Sequence, residues 1–172
     1  MNRRKFMRLS AQAGVSILAN DFVEASEGSM PLRVLGGTGE QVSALCLGGY
    51  HIGQKNIEEN EAIKIMHAAI DGGINFFDNA WQYNNGRSEI LMGKALSGER
   101  RQKVLLMTKH LGRDPVTALQ QLEASLSRLK TDCIDLWQFH AIGTPGDVNA
   151  VYTTGVLEIA SRAREQGKIR HI

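Results

Sequence analysis

The strongest constraint on this chain is an alternation. From Val42 onward, short apolar segments take turns with segments of helical period, joined by short polar connections. Residues 42–47, the apolar run that opens 74–83, residues 104–108 and residues 134–140 read as buried strands. A first helix is expected from an Asn56 cap, with Ala62, Ile63, Met66, Ala69 and Ile70 on its apolar face and Gly72 at its end. A second starts at Ser88-Glu89, with Ser88 as its cap, and buries Leu91, Met92, Ala95 and Leu96. Asp114 caps a third, with Pro115 at its first position and a stripe of Leu119, Leu122, Leu126 and Leu129. A polar, glycine-containing loop over 140–153 leads to a fourth helix at 154–166, and residues 168–172 begin a fifth strand. A hairpin at 32–42, turned by Gly36-Gly37-Thr38-Gly39, precedes this series; its glycines lack the spacing of a phosphate loop. Regular alternation with short connections means a parallel sheet with right-handed crossovers. A doubly wound sheet and a TIM barrel both begin this way, and what stands at the strand ends must separate them.

Composition narrows the function classes. The chain is 42% hydrophobic and 22% charged, which is ordinary for a globular protein and excludes the disordered and fibrous classes. Its net charge is +2, and much of the basic excess is Arg3, Arg4, Lys5 and Arg8. No basic stripe interleaves with aromatics, so nucleic acid is not the expected partner. No run approaches the roughly 20 apolar residues of a membrane-spanning helix. Cys46 and Cys133 lie in apolar strand contexts and read as two buried free thiols. Histidines and cysteines show no metal-ligand spacing, so no metal site is expected.

Residues 1–28 are set apart from the folded domain at 29–172. Arg3-Arg4, then Phe6, Met7 and Arg8, then a weakly apolar run from Leu9 to Ala19, resemble a twin-arginine export signal. Val23-Glu24-Ala25 offers cleavage after Ala25. The expectation is export to the periplasm of a chain already folded, which suits a protein that acquires a cofactor in the cytoplasm.

The chemistry gathers at strand ends. The second strand ends in Asp78, with Tyr83 five residues on; the third ends in Lys109 and the fourth in His140. A barrel would collect all four at one rim. A free phenol is a poor acid at neutral pH. A nearby ammonium favours the phenolate, and a carboxylate keeps that ammonium charged and in place. An imidazole can hydrogen-bond a carbonyl oxygen or relay a proton through the phenol. Together they form equipment for giving a proton to a carbonyl oxygen while hydride arrives at its carbon. His110 alternates with Lys109 and reads as structural. Trp137 has the opposite parity to His140 and is expected in the core. Trp81 shares parity with Tyr83 and is a candidate for the substrate mouth.

These stretches resemble the N-terminal half of an aldo-keto reductase. The resemblance rests on Leu47-Gly48-Gly49-Tyr50, on Gly73 to Glu89 with its Asn-Gly-x-Ser-Glu tail, on Thr108-Lys109, on Asp132 to His140, and on Gly167 to His171. It implies a (β/α)8 barrel of the TIM type and NADPH-dependent reduction of small aldehydes or ketones. By the family's pattern Asp78, Tyr83, Lys109 and His140 are the catalytic four, with Tyr83 the proton donor; Gly49, Tyr50 and Asp78 lie near the nicotinamide of NADP(H). A full barrel usually needs about 250 residues. The expectation is therefore a barrel truncated to roughly its first half: the hairpin, four strands with their helices, and the start of a fifth. The family's adenine- and 2′-phosphate-binding groups lie after later strands. Two other readings stand beside this one: a half-barrel without activity of its own, free to self-associate through its open edge, and a sugar-phosphate or racemase-type isomerase, for which no phosphate site is found.

Overall fold

The computed structural model describes residues 29–172, so the expected export signal at 1–28 lies outside the described residues. The described residues belong to two compact units, which divide between Ala44 and Leu45. In the first, β1 (Leu32–Val34) pairs antiparallel with β2 (Gln41–Ser43), Leu32 opposite Ser43 and Val34 opposite Gln41. Leu35 N–H donates to Glu40 O (2.8 Å), and Gly36 and Gly39 take positive φ in the turn. The glycines therefore serve the turn, as expected.

The apolar run at 42–47 is not one strand. Its first part is β2, and after Ala44, whose N–H bonds Pro31 O, the chain enters β3 (Cys46–Gly48) of a different sheet. A run of apolar residues shows that pairing occurs; it does not show with which partner.

The second unit holds β3, β4 (Phe76–Asp78), β5 (Leu105–His110), β6 (Ile134–Phe139) and β7 (Ile169–His171). All neighbours are parallel, and the spatial order is the chain order. A doubly wound sheet reverses its order at a switch point; a barrel does not. The sheet is thus the first five strands of a (β/α)8 arrangement.

Helices cover one face of this sheet. They are α1 (Gly49–Ile52), α2 (Glu59–Asp71), α3 (Arg87–Ala95), α4 (Pro115–Leu129), α5 (Pro145–Thr153) and α6 (Val156–Glu165). The core lies between. Phe77, Leu106, Trp137 and Ile169 from the strands meet Ala62 and Met66 of α2, Leu91 and Met92 of α3, Leu122 and Leu129 of α4, and Val156 and Ala160 of α6. α3 and α4 approach closely enough that a side chain at Gly93 would overlap the backbone of Arg128 and Leu129.

Several local expectations are corrected. α2 begins at Glu59 after Glu58, not from an Asn56 cap, because residues 54–57 close a turn of their own (Ile57 N–H to Gln54 O, 3.1 Å). Ser88 is not a cap: α3 starts at Arg87 behind Gly86, and Ser88 is buried inside it. Leu119 is 43% exposed, while Ala118, Gln121 and Ser125 join Leu122 and Leu126 on the buried face of α4. Gln121 earns burial through its carbonyl oxygen, which accepts from the N–H groups of Leu111 and Gly112. The loop at 140–153 contains α5, opened by a Thr144/Asp147 capping box with Pro145 at its first turn. Its end at Thr153 and the left-handed Gly155 delay the next helix to Val156. Asp114 caps α4 as expected, its carboxylate accepting from Thr117 N–H at 2.9 Å. The thiols are free, but Cys46 is exposed and Cys133 only half-buried. Cys46 precedes helix-facing Leu47 and so lies on the face turned away from the helix layer. No helix among the described residues is long and apolar enough to cross a membrane.

Candidate active site

Strand alternation divides the chemistry of β5. Thr108 and His110 are buried toward the helices, whereas Lys109 belongs to the opposite face. There its ammonium donates to Asp78 Oδ1 at the end of β4 and to Asn79 O at 2.7 Å. The Lys109 side chain is 13% exposed and that of Asp78 28%. A lysine this enclosed requires a carboxylate partner, and β4 supplies it from the neighbouring strand.

Tyr83 arrives by a guided path. Beyond β4 the backbone keeps following β5: Asn79 N–H bonds Met107 O (2.8 Å) and Trp81 N–H bonds Lys109 O (2.9 Å). A 3-10 turn at Tyr83–Gly86 follows, with Asn84, Asn85 and Gly86 all at positive φ. Short amide side chains and glycine are the residues that tolerate that conformation. The turn places the Tyr83 ring 5.2 Å from Lys109 Nζ and edge-on to the His140 ring at 5.7 Å. His140 stands just past β6, its N–H on His110 O (2.8 Å).

Burial first, and then the Lys109 cation, hold the His140 imidazole below its ordinary pKa, against the opposing pull of Asp78. It is therefore a neutral ring at pH 7, able to donate from one nitrogen and accept at the other. Its Nδ1 is buried and meets no partner among the described residues. All four expected groups thus converge, from three successive strand ends.

Gly49 and Tyr50 stand beside them, because the β3–β4 register sets Gly48 opposite Asp78. Gly49 packs on Asn79, whose side chain lies 2.9 Å from where a Cβ would sit. Tyr50 is half exposed and its ring meets Tyr83 edge-on at 5.3 Å. Asn84 Nδ2 donates to Tyr50 O (2.7 Å) and Ser88 Oγ (2.9 Å), which ties the two loops together.

Three arginines that the local pattern did not single out hold these loops. Arg87 donates to Gly53 O, Gln54 O and Ile57 O beyond Tyr50. Arg113 donates to His140 O and Ala141 O and pairs with Asp147. Arg128 reaches Trp81 O. Arginine's fixed fork of donors suits it to gathering carbonyl oxygens. Trp81 itself faces Arg128, whose Cζ is 5.4 Å from its ring centre, in a cleft of about 270 Å³ with Gln82 and Asn85.

His110 and Trp137 are core, as their parity implies. Their rings stack at 3.9 Å and 16°. Burial, and then the Arg113 cation, push His110 down to about 4. Above pH 6.5 the folded and unfolded chains both hold it neutral. Between 6.5 and 4 the unfolded chain takes a proton that the folded chain refuses, so stability falls as pH drops. The full effect is about 3 kcal/mol. Urea unfolding at pH 7 and pH 4.5 should show a loss in the parent chain that is largely absent in His110→Phe. Equal losses in the two would contradict this assignment.

The acid, the lysine and the imidazole thus stand at the ends of successive parallel strands, with the phenol on the turn that follows the first of them. The aldo/keto reductase family profile matches residues 44–172, and the chain belongs to that family. An uncharacterized oxidoreductase of Bacillus subtilis (strain 168), YrpG, is 41% identical over 69% of this chain and 43% of its own length. The 6-dehydroglucose reductase of Novosphingobium aromaticivorans is 36% identical over 63% of this chain and 40% of its own. The holo structure of aldo-keto reductase AKR11C1 from Bacillus halodurans superposes with a TM-score of 0.68 at 31% identity, covering 83% of this chain and 49% of that one. The chain spans less than half the length of these two curated relatives.

Proposed function

We propose that this chain carries the acid–base apparatus of an NADP(H)-dependent reduction of aldehydes and ketones. One observation carries the reading: Lys109, bonded to Asp78, lies 5.2 Å from the Tyr83 ring centre, and His140 closes the other side at 5.7 Å. Tyr83 gives its proton to the carbonyl oxygen. Lys109 stabilises the negative charge that builds on the phenol oxygen, and Asp78 keeps the ammonium aimed there. Neutral His140 donates to the same carbonyl oxygen and orients it.

The residues present suit the nicotinamide end of the cofactor. Gly48 sits opposite Asp78 with Gly49 next in the chain, the exposed Tyr50 ring meets that of Tyr83, and the buried Nδ1 atom of half-buried His140 has no partner among the described residues. The bound nicotinamide would supply the hydride. Titration of the chain with NADPH, followed by cofactor fluorescence, should saturate below about 1 mM, the upper end of common KM values. No binding at that level would sink the reading for this chain alone.

A second reading has its own support. Among the described residues β3 and β7 each pair on one side only, and the match covers 40–43% of the two curated relatives' lengths. On this reading the half-barrel binds cofactor only when a second half, or a second copy, closes it. It predicts no NADPH binding by the chain alone and binding once the C-terminal half of a relative is fused to it.

A further inference from the structure

Arg128 is a cation from α4 placed under the turn that carries Tyr83. Its Nη1 donates to Trp81 O at 3.0 Å and to Glu89 Oε2 at 3.3 Å. Its guanidinium covers the Trp81 ring and fills the space beside Gly86, where a Cβ would come within 2.5 Å of Cζ. Gly86 is also held at φ +86°, so this residue is glycine on two counts. The peptide segment is therefore gripped from both sides: Trp81 N–H by Lys109 O, Trp81 O by Arg128.

The cation is itself seated. Glu89 is fully buried, and its other oxygen accepts from Thr108 Oγ1 at 2.8 Å. Thr108 is the β5 neighbour of Lys109. Burial raises the Glu89 carboxyl above its usual range, while Ser125, Thr108 and Arg128 pull it back. A buried carboxylate between two elements is costly to keep unless it holds something in register. Here it joins β5, which presents Lys109, to the turn that presents Tyr83.

We infer that Arg128, seated on Glu89, is a positioning residue that fixes the turn from Trp81 to Gly86 and so sets the Tyr83 ring against Lys109 and His140. It acts through Trp81 and Gly86, more than a residue away from the reacting atoms. Its kinetic consequence rests on the carbonyl-reductase reading above; its structural consequence does not.

The test uses the chain with Trp137→Phe, which leaves Trp81 as its single tryptophan. In Arg128→Met the acrylamide quenching of Trp81 should rise severalfold with the far-UV circular dichroism unchanged. Where the parent turns over, kcat should fall about tenfold for a sub-ångström drift of Tyr83, with KM for NADPH within about twofold. Arg128→Lys should lie between, because one ammonium cannot serve the carbonyl, the ring and the carboxylate together. Removing the cation alone strands the Glu89 charge and threatens folding. Glu89→Gln/Arg128→Met removes both charges and should fold while keeping the quenching and kcat defects. A folded double variant with parental Trp81 quenching would overturn the inference, as would parental kcat. A parent without turnover counts against the reductase reading alone, and the Trp81 measurement then decides.

Discussion

Tyr83→Phe is expected to lower kcat for carbonyl reduction by about 10²–10⁴, the range that a positioned general acid contributes. The substitution keeps the ring and so keeps what the ring does. Its edge contacts with Tyr50 and His140, and the Lys109 ammonium beside it, do not need the hydroxyl. On the proposed reading, what disappears is the group that hands a proton to the carbonyl oxygen from the side where Lys109 can balance the charge left behind. NADPH affinity should stay within about twofold, and stability within about 0.5 kcal/mol, since no core packing is lost. Single-turnover oxidation of NADPH, read at the nicotinamide absorbance, isolates the step. A variant that retains a tenth or more of parental kcat would show that His140 or water donates the proton instead. The measurement belongs on whichever form of the protein turns over, the chain alone or one closed by a second half.

The largest stability effect is expected at Trp137. Its side chain is fully buried, stacks on His110 at 3.9 Å, and belongs to the core formed with α4 and α6. Trp137→Ala should cost about 3–5 kcal/mol, the usual range for removing a large aromatic from a core that cannot collapse around the void. The denaturation midpoint should fall with little change in slope. Trp137→Phe should cost well under half as much. It keeps a ring against His110, and the indole N–H it removes has no partner among the described residues. A Trp137→Ala loss below about 1 kcal/mol would mean that the helix layer closes over the gap, against ordinary core behaviour.

Trp137 shows how much was legible in the sequence. Its parity relative to His140 is a local property, and the strand period converts it into a face without knowledge of any neighbour. The same reasoning separated His110 from Lys109. It also located Asp78 at a strand end, Tyr83 five residues beyond it, and Asp114 at the head of a helix. It failed where the deciding partner is distant in sequence. Arg128 bonds the carbonyl of Trp81, Arg87 that of Gly53, and Arg113 that of His140. An arginine on a helix reads as a solvated charge until the carbonyl it serves is known. Ser88 as an isolated residue suits a cap, but the left-handed Asn84-Asn85-Gly86 turn starts the helix one residue before it. The start of α5, by contrast, is local: Thr144-Pro145-Gly146-Asp147 carries cap, proline and capping-box partner within four residues.

The sequence by itself determined the order of the main strands and helices, and set Asp78, Lys109 and His140 at strand ends with Tyr83 five residues past the first, because period and capping act over a few neighbouring residues. Only the tertiary structure decided that the strands lie in chain order, and so curve toward a barrel rather than a doubly wound sheet. It alone split the 42–47 run between two sheets, brought Lys109 onto Asp78, and set Arg128 under the Tyr83 turn. Each of these is a choice of hydrogen-bond partner across a long stretch of chain. A backbone N–H or a carboxylate must find some partner, but local pattern does not say which, and close packing of the whole domain makes the choice.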